Sequence, residues 1–464
     1  MDTSILESAR ATVATGTAGS RLAQAATIAG GILSFSALAL GSAHFYRVSA
    51  ATFGPGAILL ALPKHLGASL APFLAAAGMA GATCGMAGLR KPGSRAGFGA
   101  SLVVLAGLAA TAMHAFYAQQ ILAAHGDFAA AFGAGWQQRI PSQLKGGLLP
   151  QRWTWNLAAA PGVQVERDVT FATIPGSDRK LLADIWSPPT GIAPSGLGFI
   201  YLHGGGYSAF DKGGPTEAWF RHLAVQGHVV MDVAYRMIPE ATVPEMEGDV
   251  KRAIAWLKRS ASRYSVDPDR IVISGGSAGS HLALLAAYAP YHPLFTPQDV
   301  QGIDLSVRGV VGYYLAGDYR PESRSIPNRT AWESAVEKQL THFFERMIGY
   351  KLAVDEVGDW DANLFFGGPA EAWPELYRQV SPITHVRPES PPTLLIVGEH
   401  DLYGQSSPVA TLHAALRTAG VPSVELRLPR TDHAFDLVLP EVSPAAQTAM
   451  YDVDRFLALM AAPD

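Results

Sequence analysis

The sequence predicts a mainly parallel α/β sheet flanked by helices and preceded by an all-α bundle suited to a membrane. Three observations predict it. From Val163 onward, short apolar strands alternate with helical patterns, as crossover-connected parallel strands require. One strand breaks through Gly275-Gly-Ser277-Ala-Gly279 directly into a helical run. Before about residue 125, by contrast, Ala, Gly, Leu and Ser dominate and charges are few.

In chain order, three charge-free stretches come first: Leu22 to Ala43, Leu66 to Leu89 and Gly97 to Leu122. Each meets the roughly 20 residues a helix needs to cross a bilayer. Gly78, Gly81, Gly85 and Gly88 would let helix backbones approach closely, which is how membrane helices associate. The patch Ala57 to Leu62, closed by Lys64 and His65, is too short to span and reads as an interfacial or re-entrant piece. Buried helices packed on a soluble domain are the alternative to a membrane bundle. A cleaved secretory signal ending at Gly41-Ser-Ala43 is the competing account of the first stretch; the long segment before it and the two apolar stretches after it argue against that. Arg90, Lys91 and Arg95 lie between the second and third stretches, and Arg10 and Arg21 precede or open the first. Basic loops stay cytoplasmic, so three crossings put the C-terminal domain on the far side, periplasmic or extracellular if the membrane is a bacterial inner membrane. Arg47 and Lys64 in the intervening loop oppose that orientation.

The chain thus divides into an apolar helical region, 1–125, a linker or interfacial segment, 126–162, and an α/β domain, 163–464. Trp136, Trp153 and Trp155 in the linker suit either a membrane interface or a helix lying on the globular domain. In the domain, Val165–Ile174 and Leu181–Trp186 form a leading antiparallel pair, and Gly198–Leu202 and Val229–Val233 are buried strands. Pro244–Tyr264 is a helix with Val250, Ile254 and Leu257 on one stripe. Ile271–Ile273 leads into the serine turn, Val307–Leu315, Thr393–Val397 and Val424–Leu428 complete the sheet, and Pro444–Met460 is the closing helix. An insertion at about 317–381 holds an amphipathic helix, Trp332–Ile348, and Trp360, Phe365, Phe366 and Trp373. It is either a lid or acyl-pocket wall, or extra packing at the sheet edge.

The net charge of −4 and the lack of a basic, aromatic-interleaved cluster set nucleic acid aside. A single cysteine, Cys84, excludes an intramolecular disulfide framework and a thiolate metal site.

Ser277 sits where glycines on both sides let a helix pass close to the strand, so its hydroxyl is the candidate nucleophile. A hydroxyl needs a base and an acid that fixes the base's tautomer. His433 follows the last strand, and imidazole titrates where it can both take and return a proton. Asp401 closes Leu394-Leu-Ile-Val-Gly-Glu-His-Asp401 just past a strand, with Glu399 and Asp432 as rivals. His203-Gly-Gly-Gly206 can aim backbone amides at a developing oxyanion, which assigns Gly205, Gly206 and the amide of Ala278. A phosphate cradle is the other use of such glycines, but no Walker-type Lys-Ser/Thr and no helix-opening G-x-G-x-x-G is present.

His203-Gly-Gly-Gly-Tyr207, Tyr235-Arg-Met-Ile-Pro-Glu240, Asp267-Pro-Asp-Arg270, Gly275-Gly-Ser-Ala-Gly279, Ser381-Pro-Ile-Thr384 and Asp432-His-Ala-Phe435 together resemble the hormone-sensitive-lipase-like branch of the α/β-hydrolase superfamily. Features of kynurenine-formamidase and feruloyl-esterase-like relatives are also present. The resemblance spans roughly residues 165 to 460. It implies an α/β-hydrolase fold and a carboxylic-ester hydrolase without metal or organic cofactor, working through an acyl-enzyme with Ser277, Asp401 and His433 as the triad. Gly276 and Ser280 depart from the lipase-like pattern and are closer to the formamidase-type relatives. The family's usual cap precedes the sheet, whereas here that place is taken by the apolar region, which either replaces the cap or tethers the enzyme. The expectation is a membrane-anchored serine esterase acting on small to medium, lipophilic esters, with membrane lipid as its other partner. Its rivals are an amidase or formamidase, and a non-catalytic binding module of the same fold.

Overall fold

The structure is a computed structural model that describes residues 3–53, 57–90, 95–157, 160–315, 318–323, 330–348 and 372–463. Lys91, Trp360, Phe365, Phe366 and part of the 317–381 insertion (317, 324–329 and 349–371) lie outside the described residues. Two compact units form: Met1–Tyr46 with Pro63–Ile121, and Arg47–Leu62 with Leu122–Asp464.

The helices of the N-terminal part are α1 (Thr3–Ser42), α2 (Ala50–Phe53), α3 (Ala57–Ser69), α4 (Ala71–Met86) and α5 (Arg95–Ala123). Three segments, Ser20–Phe45, Ala71–Leu89 and Arg95–Phe132, are long and apolar enough to cross a membrane. The second starts later than the sequence suggests. Pro72 lacks an amide proton and stands at the start of α4, so Leu66 to Ser69 ends the preceding helix instead. That helix also extends the Ala57–Leu62 patch: α3 continues through Pro63, Lys64 and His65 rather than stopping at them.

Glycines govern the packing of the first unit. A Cβ on Gly30 would lie 2.7 Å from the Gly81 carbonyl, one on Gly78 2.7 Å from the Gly107 carbonyl, and one on Gly85 2.9 Å from Val103. The backbones of α1, α4 and α5 therefore touch where the sequence placed its small residues. The same unit holds a buried polar pair, His44 Nε2 and His114 Nδ1 at 3.0 Å, with the His44 ring stacked on Tyr117 at 4.2 Å.

The second unit is built on one eight-stranded sheet in the order β1-β2-β4-β3-β5-β6-β7-β8. Its strands are β1 (Gln164–Thr173), β2 (Lys180–Ser187), β3 (Gly198–Leu202), β4 (Val229–Ala234), β5 (Ile271–Gly276), β6 (Gly309–Tyr313), β7 (Thr393–Gly398) and β8 (Ser423–Leu428). β1, β2 and β4 pair antiparallel; β4-β3-β5-β6-β7-β8 are parallel. β3, β5, β6 and β7 are buried at every position, which is why they read as unbroken apolar runs rather than as alternation.

The flanking helices used below are α6 (Glu217–Val225), α7 (Val243–Arg259), α8 (Ala278–Tyr288), α9 (Ala331–Ile348), α10 (Ser406–Thr418) and α11 (Pro444–Met460). A capping box opens α7: the Thr242 amide donates to Glu245 Oε2 at 2.8 Å while the Thr242 side chain serves the N3 amide. This helix is shorter than the sequence suggests. It breaks at Ser260, and one more turn, Ala261–Tyr264, closes on the left-handed Ser265.

The linker lies on this unit. Gly126 N donates to Asp452 Oδ2 at 2.8 Å, Leu149 N to Asp454 Oδ2 at 3.0 Å, and Trp153 Nε1 to the Val442 carbonyl at 2.9 Å. Asp454 also binds His222 of α6 at 3.0 Å, so one buried carboxylate joins the linker, α6 and α11.

Burial pushes the His222 imidazole down, but Asp454 outweighs it and leaves the group above its ordinary value. Burial likewise raises the Asp454 carboxyl, and His222 with its other donors brings it below the usual carboxylate range. The histidine's contribution to stability is thus full below its unfolded value and lost as pH rises through the raised folded one. The aspartate's is full above its unfolded value and lost as pH falls through the depressed one. His222→Asn is therefore expected to destabilise the protein by on the order of 3 kcal/mol near pH 6. The loss should be smaller at pH 9, as read by thermal unfolding in detergent at both values.

Candidate active site

Parallel strands deliver their loops to one edge, and the strands concerned here are close neighbours. β5 carries Ser277, β6 carries Tyr314, β7 leads to Asp401 and β8 to His433. At about 4.8 Å between strands, Ser277 and Asp401 rise from strands only about 10 Å apart.

The turn at Ser277 is strained. Its φ is +53° and its ψ −118°, a conformation that L-residues avoid. Only glycines fit around it: a Cβ on Gly275 would lie 2.7 Å from the Ser280 amide, and one on Gly279 2.7 Å from the carbonyl carbon of Leu202. The Ser277 amide donates to the Tyr313 carbonyl at 3.0 Å, and its carbonyl accepts from His281 N at 3.0 Å, starting α8. Ala278 is the first residue of that helix, whose N-terminal end carries partial positive charge.

The glycine loop after β3 packs on this turn. A Cβ on Gly204 would be 3.0 Å from the Gly276 carbonyl and 3.4 Å from Ser277 Cβ. Gly205 and Gly206 take φ of +115° and +58°, and Tyr207 follows at +60°. The loop is held at both ends. The His203 ring stacks on Tyr235 at 4.4 Å, and the Tyr235 hydroxyl donates to the His203 carbonyl at 2.8 Å. At the far end, Gly213 N donates to Asp232 Oδ2 at 2.5 Å. Burial lowers the His203 imidazole and raises the Asp232 carboxyl well above its ordinary value.

Tyr207 ties the loop to α8. Its hydroxyl lies 2.9 Å from His281 Nδ1 and 2.9 Å from the Tyr319 hydroxyl, while His281 Nε2 lies 2.6 Å from the Val380 carbonyl. A carbonyl only accepts, so Nε2 carries the proton, Nδ1 accepts from Tyr207, and Tyr319 donates to Tyr207. Burial takes His281 down to about 4, which keeps this relay neutral.

Asp401 and His433 meet directly. His433 Nδ1 donates to Asp401 Oδ2 at 2.8 Å, and both residues are buried. Asp401 Oδ1 accepts from the amides of Tyr403 at 2.9 Å and Gln405 at 3.4 Å. With Nδ1 protonated toward the carboxylate, Nε2 is the basic nitrogen. The rivals for the acid have other partners: Glu399 Oε2 accepts from Arg430 N at 3.2 Å, and Asp432 Oδ1 accepts from Leu402 N and His433 N, each at 2.8 Å. Asp432 thus staples the acid loop to the histidine loop. Gly398 lets the two loops run back to back, since a Cβ there would lie 2.8 Å from the Asp432 carbonyl.

Three aromatic residues escaped the sequence reading. The Tyr314 ring lies 4.5 Å from His433, and its hydroxyl would be 2.7 Å from a Cβ on Gly276, so Tyr314 bridges the serine turn and the histidine. Tyr403 packs edge-on to His433 at 4.7 Å. Tyr319 completes the Tyr207 relay. The spacing of His281, one helical turn beyond Ser277, was the available hint to that relay. Tyr314 at the end of an apolar strand gave none.

A family model described as BD-FAE matches residues 183–416. Among curated proteins, the chain is 32% identical over 280 residues to the probable carboxylic ester hydrolase LipM of Mycobacterium tuberculosis, covering 59% of this chain and 57% of LipM. It is 30% identical over 342 residues to the esterase LipQ of the same organism, covering 72% of this chain and 74% of LipQ. The chain spans less than two thirds of LipM, and more than two thirds of LipQ. Among solved structures, esterase 2 of Thermogutta terrifontis is 21% identical, with a TM-score of 0.46, covering 66% of this chain and 95% of that one.

If the Asp432 staple sets the position of the imidazole, Asp432→Ala should slow fluorophosphonate labelling of Ser277 by roughly tenfold. Asp432→Asn retains an oxygen for both amides and should stay within about twofold of the unmodified protein. Labelling time courses on detergent-solubilised protein compare the two.

Proposed function

Because this chain belongs to the BD-FAE family of hormone-sensitive-lipase-like α/β-hydrolases, we propose that it is a membrane-anchored serine carboxylesterase acting on small to medium, lipophilic acyl esters. The observation that carries the reading is the 2.8 Å bond from His433 Nδ1 to Asp401 on the sheet edge that also presents the strained Ser277.

In this reading Ser277 Oγ attacks the ester carbonyl carbon as its proton passes to His433 Nε2. The oxyanion is stabilised by the amides of Gly205, Gly206 and Ala278. The C–O bond then breaks, His433 returns the proton to the departing alkoxide, and an acyl-Ser277 ester remains. Water, deprotonated by His433, attacks this ester; the acid is released and Ser277 regains its proton. Asp401 stays ionised and stabilises the imidazolium. The named esterase relatives support ester chemistry.

Gly276 and Ser280 favour a second reading, an amidase or formamidase on the same machinery. The three apolar segments support anchoring, with the basic residues at 90–95 cytoplasmic and the catalytic unit on the periplasmic or extracellular side.

Ser277→Ala and His433→Ala are each expected to lower kcat on p-nitrophenyl esters by about 10⁴-fold or more, and Ser277→Ala to abolish fluorophosphonate labelling. An unlabelled wild-type protein would sink the mechanism. Faster turnover of aryl formamides than of matched esters would replace the esterase reading with the amidase one.

A further inference from the structure

The stretch between the first two apolar segments has no role in the chemistry above, yet it groups with the α/β unit. It is bonded to the acid loop. Ala50 N, at the start of α2, donates to the Leu402 carbonyl at 2.7 Å. The Leu402 side chain is buried in a separate small cluster with Val48, Ala50, Ala57 and Ala61, against which Ile58 and Tyr403 pack. On another side, α2 packs against α9 of the insertion.

We propose that residues Arg47–Leu62 are a positioning element for the catalytic acid, so that the connection between the first two apolar segments is a working part of the esterase site. The proposal deepens the triad reading and rests on it. Leu402 stands between the two residues that bracket His433: Asp401, which accepts from its Nδ1, and Tyr403, whose ring lies 4.7 Å from the imidazole. Holding Leu402 by its carbonyl and its side chain fixes the residues on either side. The acid loop's own bonds hold the Asp401 carboxylate through the amides of Tyr403 and Gln405, and the contact with Ala50 adds a hold on the peptide between Leu402 and Tyr403. Asp432 holds the Leu402 amide, and the turn closes through Gly404 N to the Asp401 carbonyl at 2.9 Å, but the Leu402 carbonyl is held by Ala50. The three alanines of the cluster, each at most 7% exposed, shield the Leu402 side chain from solvent.

The test uses full-length protein in detergent micelles, with p-nitrophenyl butyrate as substrate and fluorophosphonate titration to count active serines. Ala50→Pro removes the donor amide and sets a ring carbon against the Leu402 carbonyl, at the first position of a helix, where the backbone tolerates proline. Its kcat per titrated serine is expected to fall roughly tenfold with KM within about twofold, since a misplaced catalytic group impairs the chemical step. Ala50→Ser keeps the amide and should retain the wild-type kcat. Ala57→Glu places a charge in the cluster and should lower kcat per titrated serine at least as far as Ala50→Pro. The proposal is overturned if both disruptive variants keep the wild-type kcat per titrated serine, including the case in which only the number of titratable serines falls, which would mark a purely structural segment. Such a result leaves the esterase reading standing. A wild-type chain that neither hydrolyses the ester nor takes the probe overturns both.

Discussion

The hydrogen bond between Asp401 and His433 depends on two loops lying back to back at the ends of β7 and β8. That arrangement in turn depends on Gly398, where a side chain would strike the backbone of the histidine loop. Direct carboxylate–imidazole contact fixes which ring nitrogen is basic, and this decides whether a neighbouring hydroxyl can be deprotonated at all. The rest of the α/β unit is arranged to serve this bond. Asp432 pins both loops through one oxygen, and the parallel register of β5 to β8 brings the serine turn to the same edge.

Much of this was legible in the sequence because it relies on residues with strong local signatures. The glycines at 275 and 279 are demanded by close backbone approach, and those at 205 and 206 by left-handed geometry, so a pattern of glycines reports a shape. Buried parallel strands announce themselves as apolar runs, and all eight strands of the sheet, parallel and antiparallel, appeared near their expected places. What stayed hidden depends on side chains from remote parts of the chain. Tyr314 and Tyr403 look like ordinary strand-end aromatics until the fold sets them against the imidazole. Asp432 looked like a lesser rival to Asp401, because its role lies in two backbone amides that no spacing rule identifies. The end of α3 was misjudged because Lys64 and His65 read as a stop, whereas the helix continues to Ser69.

The glycine loop after β3 shows how strain is maintained without charge. Three successive residues, Gly205 to Tyr207, adopt positive φ, and such a run would relax unless its ends were tied. His203 and Asp232 hold the two ends, and Tyr207 anchors the middle through His281. Because burial keeps His281 neutral, the anchoring does not change with pH over the range in which an esterase operates. The same tyrosine meets Tyr319 at the base of the insertion, so a shift of that base would reach the amides of the loop through two hydroxyl groups.

Finally, the bond between Ala50 and Leu402 joins points farther apart in the chain than the whole 163–464 domain is long. Protein synthesis releases Ala50 long before Leu402, so this contact cannot form until the three apolar segments and most of the sheet have emerged. The order of emergence alone ensures that the loop at Leu402 acquires this neighbour only after all three apolar segments have left the ribosome.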